Sequence, residues 1–444
     1  MPYLDSSKEE KQIGLELFFT DTPGIKGRLK KFPEDFVVTE RSIDVEPISV
    51  EDQQLRPHTL PIYTYAKVRS INWETNRLVV RLARELGINF NKILFAGSKD
   101  KRAITTQLMA FEAPLDDVKK IELDNVELFD LFISPRVLKI GDLLGNDFTL
   151  RVRDIEISET EATERISNTS QQLEQINGFP NFFGAQRFGV IRPITHEIGK
   201  LLVEKRFEEA VWKYLANPIK GEPANDYEVR KEFERCWDFE WALKNFPSYL
   251  IFERIMIRYI VNHPDDYLGA LNQIPRNLNT MFINAYQSFL FNRILSARIR
   301  KGLPLNKPLI GDIVLPVDNN RLPVHKTWIP VIEQNQDKLT GLCLKGKAYV
   351  SGVLFGSETG FAEGEFGEIE RKIIKNEKVD ANDFIIPESP NLSSKGSRRE
   401  LMAPFKNFKY DIDDGMITFQ FSLFKGVYAT TLMREYMKSK IKSY

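Results

Sequence analysis

Cysteine is nearly missing from this chain: Cys236 and Cys343 are the two among 444 residues, far apart and without a C-x-x-C neighbour. A disulfide scaffold and a thiolate zinc site are both excluded. Histidine is almost as rare. His58, His196, His263 and His325 are scattered and never fall at H-x-x-x-H spacing, so no bound metal is expected. Neither sign of charge dominates: Lys and Arg total 62, Asp and Glu total 62, and the formal net charge is +0. Any surface for a polyanion must therefore be a local patch. No run approaches the ~18 to 20 apolar residues that span a bilayer. The opening MPYLDSSKEEKQIG also lacks the apolar centre of a signal peptide. A soluble cytoplasmic protein is the expectation. The phosphate-loop pattern G-x-x-x-x-G-K-[ST] is absent, and Gly356, Gly360, Gly364 and Gly367 do not form G-x-G-x-x-G.

What is present suffices for large cores: 42% apolar residues, 11% aromatic and 28% charged. The length suggests two or three domains. Residues 1–20 are polar and acidic and read as a loosely held extension. Residues 36–39 and 63–68 read as strands. Asn72 is placed to cap a helix whose apolar face is Leu78, Val79, Leu82, Ala83 and Leu86, closing at Gly87. Short strands at 93–96, 107–111 and 147–152 and a helix over 159–176 follow without a strict βαβ beat, which favours an α+β fold. After about Phe207 long helical patterns take over (228–246, 249–261, 281–300). Residues 391–399, NLSSKGSRR, read as a flexible junction, and 416–424 and 427–433 as strands.

Several local sequences carry chemistry. FAGSKDKRAITTQ (95–107) sets Asp100 among three cations on a glycine-assisted turn after an apolar strand, either a reactive carboxylate on a rigid scaffold or an ordinary surface turn. NFFGAQRFG (181–189) combines adjacent aromatics, amides, an arginine and glycines. These are the materials of a base-stacking platform, or of a buried aromatic strand. Lys26, Arg28, Lys30 and Lys31 precede Pro33-Glu34-Asp35-Phe36, spacing that can grip phosphates or simply face solvent. GVYATTLMRE (426–435) ends an apolar run on Arg434. The 285–292 helix, AYQSFLFN, is apolar nearly all round and reads as core.

These blocks resemble the TruD family of pseudouridine synthases. FAGSKDKRAITTQ matches the family signature A-G-x-K-D-x-x-A-x-T-x-Q at each fixed position, and GRLKKFPEDFVVTE, NFFGAQRFG and GVYATTLMRE agree in the same order. The resemblance implies isomerisation of a tRNA uridine, typically uridine 13, to pseudouridine, with no cofactor and no metal. It places the nucleophilic aspartate on Asp100 and substrate-binding residues on Lys30, Phe36, Asn181, Phe183 and Arg434. Arg434 is the expected ion-pair partner of Asp100, and Phe183 the ring that holds the flipped base. The implied architecture is a catalytic domain with a mixed, mainly antiparallel sheet and a central cleft. Its parts are an extension (1–20), a first catalytic part (21–206), an inserted TRUD domain (207–402) resembling the archaeal branch, and a returning C-terminal part (403–444). The partner is tRNA, with no membrane association, and the chain is taken as a monomer. Two other readings stay open: a non-catalytic tRNA-binding or RNA-folding protein on this scaffold, and an acid-base hydrolase pairing Asp100 with Glu34 or Asp35.

Overall fold

The computed structural model describes residues 3–48 and 62–444; His58 lies outside them. Its principal sheet has, among the described residues, eight strands: β1 (Phe36–Ser42), β2 (Tyr63–Ile71), β3 (Ile93–Phe95), β4 (Ile104–Phe111), β5 (Val126–Ser134), β6 (Leu143–Val152), β13 (Lys406–Asp413) and β14 (Met416–Phe424). The order is β13-β14-β6-β1-β4-β2-β5, with β3 on β4. The pair β1–β4 is parallel and the other neighbours are antiparallel. The last strands of the chain thus lie beside β6, and with helices on the faces the fold is α+β. No helix among the described residues is long and apolar enough to cross a membrane.

Alternation sets the faces of this sheet. On β1, Phe36, Val38 and Glu40 point inward while Thr39 is exposed. Opposite them on β6 stand Leu150, Phe148 and Asn146. Helix Glu159–Gln175 packs Ala162, Ile166 and Leu173 into the core that holds Phe36, Phe148 and Phe421. On another part of the sheet, helix Thr75–Leu86 buries Leu78, Val79, Leu82 and Ala83 against Ala66, Val68 and Met109. Its cap is Glu74, which accepts from the Asn76 and Arg77 amides, and not Asn72. Gly87 ends it in the left-handed region at φ 64.

The intervening chain builds a second sheet: β8 (Ile313–Pro316), β9 (Ile329–Pro330), β10 (Ala348–Leu354) and β11 (Ser397–Glu400), in the order β11-β10-β8-β9. It packs with helix Arg276–Arg300, whose 285–292 turns are largely buried as expected of core. A short antiparallel ribbon pairs β7 (Phe179–Pro180) with β12 (Met402–Ala403).

Four sequence expectations need correction. Residues 3–20 are not loose: Ile13, Leu15, Leu17 and Phe18 are buried, and Glu10 lies inside the protein. Residues 228–246 are two helices, Ala224–Cys236 and Phe239–Asn245, separated at Trp237, whose φ of 47 ends the first. The 427–433 run is no strand but the start of helix Ala429–Met437, with all nine residues buried. Complete burial erases the periodicity that separates helix from strand. The 391–399 junction ends in β11, where Arg398 is fully buried on Glu370 at 2.8 Å and Arg399 is buried too. Neither arginine is on the surface to meet RNA.

His196 lies in the larger core, its ring edge-on to Phe188 and tilted against Phe289. Burial drives its pKa down to about 4, against weaker raising influences from Glu197 and a backbone hydrogen bond with Gln12. The unfolded chain therefore takes up a proton below about pH 6.5 that the folded chain refuses until about pH 4. Stability from this group is complete above the unfolded value and is lost as the pH falls towards 4. His196→Phe should flatten that slope. In urea titrations, wild type should lose about 2 to 3 kcal/mol more than the variant between pH 7 and pH 4.

Candidate active site

A cleft of about 320 Å³ opens over the inward face of β1 and β6, near the low end for small-molecule sites. Phe36 and Val38 from β1, and Asn146 and Phe148 from β6, line it together with the 97–100 turn, Gln186 and residues 425–430. The 97–103 turn connects β3 to β4, and because β4 runs parallel to β1 it stands beside the start of β1.

Two consecutive residues of that turn point to different partners. Lys99 Nζ turns inward to Glu40 Oε2 at 2.5 Å, with side-chain exposures of 6% and 0%. The other Glu40 oxygen accepts from Ser42 Oγ and the Leu108 amide. The Lys99 amide donates to Thr75 Oγ1 at 2.8 Å. Held at both backbone and side chain, the turn presents Asp100 to the cleft with its side chain 47% exposed.

The cation on Asp100 is Lys30. Its Nζ is 2.7 Å from Asp100 Oδ2, while Asp100 Oδ1 accepts from no group among the described residues. Lys30 Nζ also stands 4.0 Å from the centroid of the Phe36 ring, a cation–π contact that fixes the ammonium between ring and carboxylate. Lys30 sits in the left-handed region at φ 53, as Lys26 does at φ 62. Neighbouring hydrogen bonds hold this unfavourable backbone: the Arg28 amide to Arg153 O at 2.9 Å and the Leu29 amide to Ser443 O at 2.7 Å. Asp35 caps the Phe32 amide and pairs with Arg153 Nε at 2.7 Å, buried away from the cleft, and Glu34 does not line it.

Asn181 and Phe183 lie behind the cleft wall and do not line it. Asn181 Nδ2 donates to Glu400 Oε1 at 2.8 Å, and its Oδ1 accepts from Arg399 Nη2 at 2.7 Å. Burial pushes the Glu400 carboxyl up, but the His325 hydrogen bond and the Arg399 charge outweigh it and leave it below the ordinary value. Phe183 packs edge-on to Phe291 and Tyr428, with the Arg399 guanidinium 4.2 Å from its ring centroid. Arg399 also donates to Gly426 O at 3.0 Å. Residues 181–183 therefore support the 426–430 segment. Gly184 permits the close fit, since a Cβ there would meet Gln186 Oε1 at 2.7 Å and Thr430 Oγ1 at 2.9 Å.

Arg434 is not the partner of Asp100. Its Nε donates to Glu10 Oε1 at 2.6 Å and its Nη1 to Leu17 O at 3.0 Å, and its guanidinium stacks on Phe18. The residue is buried and does not line the cleft.

The structure thus brings together Asp100, Lys30 and Phe36, and sets Asn181, Phe183 and Arg434 beneath or away from them. Sequence reasoning did not single out Glu40, Asn146, Gln186 or Tyr428. The alternation of β1 could have marked Glu40, a carboxylate on the apolar face of a strand. Tyr428 and Gln186 lie within blocks that were recognised as unusual. Nothing local marked Asn146.

A family model, tRNA pseudouridine synthase D (TruD), matches residues 12–436. The probable tRNA pseudouridine synthase D of Methanococcoides burtonii is 39% identical over 437 residues, covering 97% of each chain. That of Thermococcus sibiricus is 39% identical over 425 residues, covering 95% of this chain and 97% of its own. The crystal structure of the putative tRNA pseudouridine synthase D from Methanosarcina mazei superposes with a TM-score of 0.84 at 36% identity, over 99% of this chain and 100% of that one. On the strength of a match along nearly its whole length, the chain belongs to the TruD family of tRNA pseudouridine synthases, which are isomerases.

Proposed function

We propose that the cleft converts a uridine of tRNA, at position 13, to pseudouridine, with Asp100 as the group that attacks the nucleoside or takes a proton from its ribose. One observation carries this reading. Asp100 is the single carboxylate lining the cleft among the described residues, with a lysine on one oxygen and the other oxygen uncommitted. In the reaction the N1–C1′ bond breaks, the C5–C1′ bond forms, the C5 proton leaves to solvent and N1 gains a proton. Redox balance is unchanged and no cofactor is needed. The work left to the protein is to hold the base outside its stack, exclude water and keep an anion at the ribose. Lys30 orients Asp100. Tyr428, half-buried and lining the cleft, replaces Phe183 as the aromatic that can face the flipped base. A hydrolase reading loses support, because Asp35 is committed to Arg153 and Glu34 does not line the cleft. We take residues 21–206 and 403–444 as the catalytic part, 207–402 as an insertion and 1–20 as a segment packed on both. The chain would act in the cytoplasm as a monomer.

Pseudouridine mapping of tRNA incubated with and without the protein tests the assignment. Absence of the modification at position 13 would refute the site, and a product of altered mass would refute isomerisation. Asp100→Asn should abolish tritium release from 5-tritiated uridine while leaving tRNA affinity within about tenfold, ~1.4 kcal/mol. Activity near that of wild type would remove Asp100 from the chemistry.

Lys30 and Arg434 should separate cleanly. Lys30→Met is expected to slow turnover roughly ten- to hundredfold while the unfolding midpoint moves little, because a half-exposed pair is worth only about 1 kcal/mol or less. Arg434→Met strands the buried Glu10 and should cost about 3 to 5 kcal/mol of stability. Turnover and thermal melts on both variants decide this. A stable Arg434→Met protein with impaired chemistry would return Arg434 to the active site.

A further inference from the structure

Gln186 and Asn146 line the cleft and Asn181 stands behind its wall; of these three side-chain amides, two have their oxygens engaged. Asn181 is held by Glu400 and Arg399, and Gln186 Oε1 accepts from Thr430 Oγ1 at 3.0 Å. The third, Asn146, lines the cleft and makes no hydrogen bond at either end of its amide; its Oδ1 is buried and has no partner among the described residues. It sits on β6 directly across from Glu40 on one side and Leu423 on the other. Glu40 cannot satisfy that oxygen, because a carboxylate only accepts; its own oxygens are met by Lys99, Ser42 and the Leu108 amide. A Cβ on the preceding Gly145 would meet Leu423 O at 2.1 Å, so the strand is pressed against β14 and the backbone that carries Asn146 is held in place. A buried amide oxygen without a donor is costly, and a ligand that brings a donor to it removes that cost, while the amide nitrogen remains free to donate to the same ligand.

Uracil presents such an edge, and its symmetry matters here. Reading round the ring, O2 accepts, N3–H donates and O4 accepts. The isomerisation must exchange N1 for C5 at the sugar, and a half-turn about the axis through N3 and C6 does so. That same half-turn exchanges C2=O with C4=O and leaves N3–H in place. The acceptor–donor–acceptor edge is therefore superimposed on itself, while the opposite edge, where bonds break and form, is not. A single amide can make the same two hydrogen bonds to N3–H and a flanking carbonyl before and after the turn. Cytosine, with its acceptor–acceptor–donor edge, has no such symmetry.

We propose that Asn146 is the positioning residue on which the base pivots, gripping the N3–H and an adjacent carbonyl of uracil in both substrate and product orientations. The proposal rests on reading the cleft as a uridine isomerase. Asn146 takes no part in bond making; it keeps the detached base from escaping or tumbling and presents C5 to C1′.

The test is a cycle between enzyme and substrate. Wild type and Asn146→Ala are assayed in single turnover on tRNA carrying either uridine or N3-methyluridine at the position wild type converts, with nucleoside analysis of the product. Losing a bidentate contact should slow wild type on the methylated substrate, and Asn146→Ala on uridine, each about ten- to hundredfold. Combining the two should slow the reaction little further, because both remove the same contact. Losses that multiply, or an Asn146→Ala enzyme as fast as wild type on uridine, overturn the proposal; the latter is the outcome if water alone occupies the amide. Should alanine lower the unfolding midpoint, Asn146→Ser carries the same comparison with a smaller change in volume. Wild-type protein that forms no pseudouridine in any tRNA removes the isomerase reading itself, a result distinct from either of these.

Discussion

The buried pair between Lys99 and Glu40 is the contact on which the cleft depends. A carboxylate on the inward face of β1 costs several kcal/mol in desolvation unless a cation meets it. The cation that does so is the residue immediately before Asp100. One peptide unit thus links the sheet interior to the reacting face, and wherever Lys99 is anchored, Asp100 must follow. Because Glu40 also accepts from the Leu108 amide on β4, the pair ties together β1, β4 and the turn between β3 and β4. Lys30 then needs only to reach Asp100 across the face of Phe36.

A layered support stands behind that geometry. Residues 426–430 touch the cleft from the C-terminal side. They are backed by Arg399, which bonds Gly426 O and Asn181 and covers the Phe183 ring. Asn181 and Phe183 are therefore needed in a different sense from the one their sequence suggests, as parts of the frame that holds Tyr428 and Thr430 in place. Distinctive sequence marks where a protein is constrained, and a frame is as constrained as the surface it carries.

What could be read from residues alone follows from where the determining contacts lie. β1, the helix Thr75–Leu86 and the Asp100 turn are set by local alternation, periodicity and glycine, and those were legible. Helix Ala429–Met437 was not, since its polar residues Arg434 and Glu435 are buried on internal partners with the rest, so polarity does not mark an outward face. Arg434 shows the other limit. Its charge announced a carboxylate partner and the family resemblance named Asp100, but the packing of the N-terminal segment against the last helix makes that partner Glu10. The N-terminal residues look soluble in isolation because Lys8, Glu9 and Lys11 face outward, while Glu10, the single buried residue of helix Lys8–Gln12, has its counter-charge near the other end of the chain.

That β14 lies beside β6 has a consequence for how the protein comes into being. The ribosome finishes β6 about 250 residues before it starts β13, and at roughly 5 to 20 residues per second that interval lasts tens of seconds. Throughout it the edge of β6, with Asn146 upon it, has no neighbour on one side, and the inward face of the sheet lacks helix Ala429–Met437 to cover it. The nascent chain carries Asp100 and Lys30 early but owns only half of the cleft they face. The cleft is thus incomplete until residues 425–430 have been made, and the open strand edge must be shielded from other chains for as long as the middle of the protein takes to be made.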